Sequence, residues 1–257
     1  MNARPDIYNF RTSSQGPESV ITMISIVIPA YNEQERIAAC LLALSHQSIP
    51  RNEYEIIVVD GGSKDNTREI AAGYADKVFI QTSKRVGGAR NDGISSSLAE
   101  IVATTDADSV VAPDWVEQVR NSFSSPSVVL AFGPVTTMED TTKDHLYALL
   151  FNFLIWFGAL TKMYYYTLGC NTAFRKEVFV NAGMYRIVDA GDDLEIAVRM
   201  RRKGKVVFNP NMKIAFDFRR YHEFGFLRTL YEWYAIVLQG GVSEKYTYTR
   251  KEYKNKE

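Results

Sequence analysis

Ile24-Ser25-Ile26-Val27-Ile28-Pro29-Ala30-Tyr31-Asn32-Glu33 is a β-branched run that closes on a proline, an aromatic residue and a polar pair. A short apolar run bounded in this way fits a buried strand. Two similar runs follow. Tyr54-Glu55-Ile56-Ile57-Val58-Val59 ends at Asp60 and turns through Gly61-Gly62, and Ile101-Val102-Ala103 leads through Thr104-Thr105 into Asp106-Ala107-Asp108. Between the first two runs, Ile37, Cys40, Leu41 and Leu44 recur at helical spacing, and Asn32 with Glu35 is expected to cap that helix. A second helix is predicted over 67–75, a strand over 78–80, and a third helix from Gly87-Gly88 toward Leu98. Strand and helix in alternation predict an α/β fold with a mostly parallel central sheet flanked by helices. Ligands of such sheets lie beyond the carboxyl ends of the strands, so Tyr31, Asp60 and Asp106 are expected on one edge. Carboxylates two apart at a strand end suit a hard divalent cation held against a diphosphate. Three such strand ends describe a nucleotide pocket.

The second half is less regular. Pro113-Asp114 should open a helix with Val116, Val119 and Phe123 on one face, followed by a strand over 128–132. A helix is expected from Asp192 with Leu194, Ala197 and Val198 as its apolar face, then strands over 206–208 and 214–216 and a helix over 226–238. The economical organisation is a flexible extension (1–22), one catalytic domain (23–242) and a charged tail (243–257). Within the domain, 23–110 form the nucleotide-binding half and 111–242 the acceptor side.

Thirty basic and thirty acidic residues cancel, and no sustained basic stripe marks a nucleic-acid partner. Cys40 and Cys170 lack metal-ligand spacing, and Cys40 lies on an apolar helix face, as a reduced core thiol would. Residues 1–22 do not read as a signal peptide, so a cytoplasmic location is expected. The stretch Leu146–Leu160 is apolar and aromatic but short of the roughly 20 residues of a membrane span. It reads either as a buried helix or as an interfacial helix making a peripheral membrane contact through 146–166, where Tyr164-Tyr165-Tyr166 would sit at headgroup level. No segment selects an oligomeric state.

The order of motifs resembles glycosyltransferase family 2, whose members have the GT-A fold. The resemblance rests on Pro29-Ala30-Tyr31-Asn32-Glu33, Val58-Val59-Asp60-Gly61-Gly62-Ser63-Lys64-Asp65-Asn66-Thr67, Gly88-Ala89-Arg90-Asn91-Asp92-Gly93, Asp106-Ala107-Asp108, Gly169-Cys170-Asn171, Gly191-Asp192-Asp193 and His222. It implies a nucleotide-diphosphate-sugar donor, UDP-sugar before GDP-mannose, and a glycan or lipid-linked acceptor. Tyr31 would pack on the nucleobase, Asp60 would hydrogen-bond it, and Pro29 and Ala30 would offer backbone contacts. Arg85 would reach the base or a phosphate, and Glu33 and Ala107 would belong to the donor side. Asp106 would meet the ribose or the metal, and Asp108, joined by His222, would ligate Mn²⁺ or Mg²⁺. The family usually carries a second Asp where Gly61 stands here.

Asp192-Asp193 matches the family's acidic pair, which makes Asp193 the general base for direct displacement with inversion. Asp192 would line the donor side and form a capping box with Glu195. Gly169-Cys170-Asn171 would back the donor sugar, with Asn171 bonding a hydroxyl or fixing a turn, and Arg219-Arg220 would hold a phosphate of donor or acceptor. A nucleotidyltransferase is a weaker reading, because strand one ends in Pro-Ala-Tyr-Asn-Glu rather than a basic, Gly-rich loop. A non-catalytic nucleotide-sugar binder is disfavoured by Asp106, Asp108, Asp193 and His222 standing together.

Overall fold

The computed structural model describes residues 23–162, 167–188 and 191–238. The expected N-terminal extension, Tyr164–Tyr166 and the charged tail lie outside the described residues.

In chain order the elements are β1 (Ile24–Ala30), α1 (Ile37–Ser45), β2 (Tyr54–Asp60), α2 (Thr67–Ala72), β3 (Lys77–Ile80), α3 (Arg85–Ser96) and β4 (Ile101–Thr104). There follow β5 (Val110–Val111), α4 (Trp115–Ser122), β6 (Val128–Phe132), β7 (Val135–Thr137), α5 (Thr142–Thr161), β8 (Thr172–Arg175) and α6 (Lys176–Asn181). The last are α7 (Asp192–Arg201), β9 (Lys205–Phe208), β10 (Ile214–Phe216), α8 (Arg219–Phe224) and α9 (Phe226–Leu238).

Seven strands form the main sheet in the order β3-β2-β1-β4-β8-β6-β9, and β5-β10-β7 form a small second sheet. The main sheet is parallel except for β8, which runs antiparallel to both β4 and β6. All seven residues of β1 and of β2 are buried, as expected where helices cover both faces. The period of two sorts them: Ile24, Ile26, Ile28, Ile56 and Val58 pack with α1 and α4, while Val27, Ile57 and Val59 pack under α3.

Register positions the site. Ala30 pairs with Asp60, and Val27 with Thr104, so the carboxyl ends of β1, β2 and β4 share one edge. Antiparallel β8 places Thr172 opposite Thr104, which carries the tight turn Gly169–Asn171 to the end of β4. Thr104 Oγ1 locks that turn by donating to the Gly169 carbonyl at 2.6 Å.

Several sequence expectations need correction. Asn32 does not cap α1: it sits at φ 53°, its Oδ1 accepts from the Lys64 amide at 2.9 Å, and the residue before the helix is Arg36, four positions beyond the expected cap. The buried face of α7 is Ile196, Ala197 and Met200, whereas Val198 is exposed. Glu195 forms no capping box, because its carboxylate pairs with Arg199 and Arg186, and Gly191 at φ 83° opens the helix instead.

The aromatic stretch belongs to a 20-residue helix, α5, which is long and apolar enough to cross a membrane by length and composition. It is not a core helix. Ala148, Phe151, Ile155 and Gly158 face inward, while Leu146, Leu149, Phe153, Trp156 and Leu160 are exposed.

Candidate active site

At the end of β1 the chain turns through Tyr31-Asn32-Glu33, with the Asn32 amide donating to Ser63 Oγ and the Glu33 amide to Thr67 Oγ1, each at 2.9 Å. Pro29 and Ala30 are buried in the strand, and the Ala30 carbonyl accepts from the Gly61 amide at 2.7 Å. Half-buried Tyr31 lies against Gly61, where an added Cβ would stand 3.0 Å from Tyr31 Cδ2. The departure from the usual acidic residue at Gly61 thus lets the ring lie on the backbone.

Asp60, expected at the base, is held within the turn after β2. Its side chain is fully buried, and its oxygens accept from the Gly62 and Ser63 amides at 2.9 Å and from Ser63 Oγ at 2.5 Å. It caps the turn after β2. Arg85 is exposed at the start of α3, and its Nη1 donates to the Ile187 carbonyl at 3.0 Å. Asn171 fixes the turn rather than facing a sugar: it is fully buried, accepts from Trp115 Nε1 at 2.9 Å, and donates to the Met212 and Pro134 carbonyls at 2.8 and 2.9 Å.

The acidic residues converge through two arginines. Arg90 lies on the buried face of α3, donates to Asp106 Oδ1 at 2.7 Å, and brings Nη1 to 3.9 Å from Asp192 Oδ2. Burial opposes its charge, but Asp106 and Asp192 outweigh burial and hold its pKa above the usual value. Gly169 is required beside it, since a Cβ there would stand 2.6 Å from the guanidinium carbon. The small residue expected at Gly169 therefore admits Arg90. On the other side, Arg219 Nη2 lies 3.0 Å from Glu33 Oε1 and 3.1 Å from Asp108 Oδ2. Ala107, between the two aspartates, is buried, and Cys40 Sγ donates to the Asp106 carbonyl at 3.4 Å, tying α1 to the same loop.

Asp193 opens α7. Its Oδ2 accepts from the Gly169 amide and its Oδ1 from the Leu194 amide, each at 2.9 Å. Burial, then the neighbouring Asp192 charge, pushes its pKa up to about 7, with Arg90 pulling the other way. Asp192 is raised by burial and lowered by Arg90. Asp108 is likewise pushed up to about 7 by burial, Asp106 and Glu33, against Arg219. A carboxylate raised toward neutrality, as Asp193 is, suits proton transfer.

His222 does not join Asp106 and Asp108. Its Nε2 lies 2.5 Å from Oδ1 of buried Asp144, which is held at the start of α5 by Thr141 Oγ1 at 2.8 Å. Among the described residues no three His, Cys, Asp or Glu side chains come together as a metal-holding group. The cleft of about 680 Å³ beside His222 is lined by Arg36, Asp144, Asp217, Phe216 and Arg219 among others, and Arg219 also reaches Asp108.

Arg90 had no role assigned from sequence. The available signal was an arginine among Gly87, Gly88, Ala89 and Gly93, small residues that the fold places on one buried helix face.

Against known proteins, the family profile described as "Glycosyl transferase family 2" matches residues 25–183. Glycosyltransferase AglE of Haloferax volcanii is 36% identical over 123 residues, covering 46% of this chain and 40% of that protein. Human dolichyl-phosphate beta-glucosyltransferase is 31% identical over 165 residues, covering 54% and 51%. The chain thus spans about half the length or less of these curated relatives. Among solved structures, the Pyrobaculum calidifontis mannosyltransferase PcManGT in complex with GDP-Man and Mn²⁺ superposes with a TM-score of 0.60 at 21% identity, covering 76% of this chain and 56% of that one. TarS of S. aureus in complex with UDP-GlcNAc gives 0.61 at 15% identity, covering 76% and 58%. The sheet order, the shared strand edge and the match over most of the described chain make this protein a member of glycosyl transferase family 2, with the GT-A fold.

Proposed function

We propose that this glycosyltransferase moves a sugar from a nucleoside diphosphate to an acceptor hydroxyl or lipid phosphate by direct displacement with inversion at the anomeric carbon. The observation that carries this reading is the shared Arg90, which sits between Asp106 on the donor side and Asp192 beside the base. In this arrangement Asp193 takes the acceptor proton. The Gly169 amide holds one of its oxygens, and a raised pKa suits a general base at neutral pH. Tyr31 offers its ring to the nucleobase, and Glu33 and Asp192 line the donor pocket.

Asp106 and Asp108 are two carboxylates of one short loop, each already facing a guanidinium, so a positive charge is accommodated beside them. Asp106 and Asp108 would hold Mn²⁺ or Mg²⁺. The ion, when bound, offsets the charge that develops on the departing diphosphate. Arg90 adds buried positive charge beside Asp106.

The bare apolar face of α5 favours an acceptor at a lipid surface. Tyr147 stacks on Phe226 of α9 with ring centroids 4.7 Å apart, and Leu227, Tyr231 and Tyr234 of α9 are also exposed. Aromatic side chains with exposed Lys143 and Lys162 near the ends of α5 suit the headgroup boundary of an anionic bilayer, a peripheral contact at the cytoplasmic face.

Thermal shift with UDP, GDP and dTDP, each in Mn²⁺ and in EDTA, tests the donor reading. A metal-dependent rise for one nucleotide is expected, and no rise for any of the three overturns it.

A further inference from the structure

Arg219 is the first residue of α8, and its side chain spans three carboxylates from distant parts of the chain. Nη2 contacts Glu33 after β1 at 3.0 Å and Asp108 after β4 at 3.1 Å, while Nη1 lies 3.4 Å from Asp217 after β10. The Arg219 amide also donates to Asp217 Oδ1 at 2.8 Å, and Arg36 shares Asp217 at 3.2 Å. Nη1 is buried yet has no hydrogen-bond partner of its own, so the guanidinium is seated by charge more than by matched geometry. A guanidinium keeps its proton at any working pH, so it cannot yield its place by neutralisation. An arriving divalent ion meets a full positive charge on the oxygen it needs.

We propose that Arg219 is a resident counter-cation: it occupies Asp108 in the ligand-free protein and must leave that carboxylate for a divalent ion to bind there. The inference rests on the proposed reading that Asp108 takes such an ion. It adds a consequence: metal alone binds weakly, and a nucleoside diphosphate, which offers the displaced fork a bidentate partner, strengthens it. Arg219 thereby makes metal and donor binding mutually dependent, reciprocal by linkage.

The test is Mn²⁺ binding to the full chain, read as free Mn²⁺ by electron paramagnetic resonance, for wild type, Arg219→Gln and Arg219→Lys, with and without UDP or GDP. Without nucleotide, Arg219→Gln should bind Mn²⁺ about tenfold tighter than wild type or more, and UDP or GDP should strengthen the wild type most. Thermal unfolding checks that each variant is folded. If Arg219→Gln does not fold, Arg219→Lys decides, because lysine keeps the charge but loses the fork joining Glu33 to Asp108, and about threefold tighter binding is expected. Nucleotide-free affinities in the folded variants equal to or weaker than wild type overturn the inference. If wild type still binds Mn²⁺ with UDP or GDP in that case, the proposed function stands without it. No Mn²⁺ binding by any of the proteins with any nucleotide overturns both.

Discussion

Arg90 donates to Asp106 at 2.7 Å from inside the sheet-facing side of α3, so the loop after β4 is held by a side chain that solvent scarcely reaches. The same guanidinium stands 3.9 Å from Asp192, and Gly169 yields the space for it. One buried cation thus fixes the spacing between the donor loop and the start of α7.

Removing that cation leaves buried Asp192 and partly buried Asp106 without their shared partner. Arg90→Ala is expected to cost about 3–5 kcal/mol, and Arg90→Lys less, since lysine keeps the charge but not the planar fork. Urea unfolding of both variants checks this. A cost below about 1 kcal/mol for the alanine variant would contradict the role of Arg90.

Asn171 accepts from Trp115 and donates to two carbonyls, all within the core. Asn171→Ala should therefore lower stability by roughly 1–3 kcal/mol, because the Trp115 N–H is left buried and unpaired. Chemical denaturation measures it. A variant of unchanged stability but poorer donor affinity would return Asn171 to the sugar.

Burial raises the pKa of Asp193 from 3.8 to about 7, and that of Asp108 moves in the same direction. The folded state then binds more protons than the unfolded state between these values. The contribution of these two groups to stability accordingly falls as pH rises from about 4 to about 7 and levels above that, while lowered Glu55, Asp65 and Asp92 act with the opposite sign at the acid end. Asp193→Asn removes one of the two contributions, so its slope should be shallower and its advantage over wild type greatest above neutrality. Unfolding in EDTA at pH 5 and pH 8 reads this out. Equal slopes in the two proteins would count against the raised pKa of Asp193.

Phe153 and Trp156 lie on the outer face of α5, and Phe153 is 55% exposed. Replacing both with serine should change stability by no more than about 0.5 kcal/mol each while weakening association with anionic vesicles. Flotation of wild type and variant decides. Wild type that stays with the solvent fraction sinks the membrane reading.

What sequence could and could not announce follows from period and range. The strand over 128–132 and the helix over 226–238 agree with β6 and α9 to the residue, because each is a sustained pattern of its own. Two- and three-residue strands such as β5 and β7 carry no period, and neither was expected. The antiparallel direction of β8 depends on partners remote in sequence, yet it brings Gly169 to Asp193. The acidic motifs were legible as a set, whereas their pairing with Arg90 and Arg219 was not, since it joins residues 16 and 111 positions apart. His222 was placed with the metal by motif order, but α8 turns its ring toward Asp144, a residue with no signal of its own beyond a helix start.

Turnover of UDP- and GDP-linked sugars in Mn²⁺, comparing wild type with Asp193→Asn, tests the central claim most directly. The account predicts nucleotide-dependent thermal shifts of similar size in both proteins, with turnover about 10²–10⁴-fold lower in the variant. Equal turnover in the two proteins would contradict Asp193 as the base and with it the mechanism proposed here.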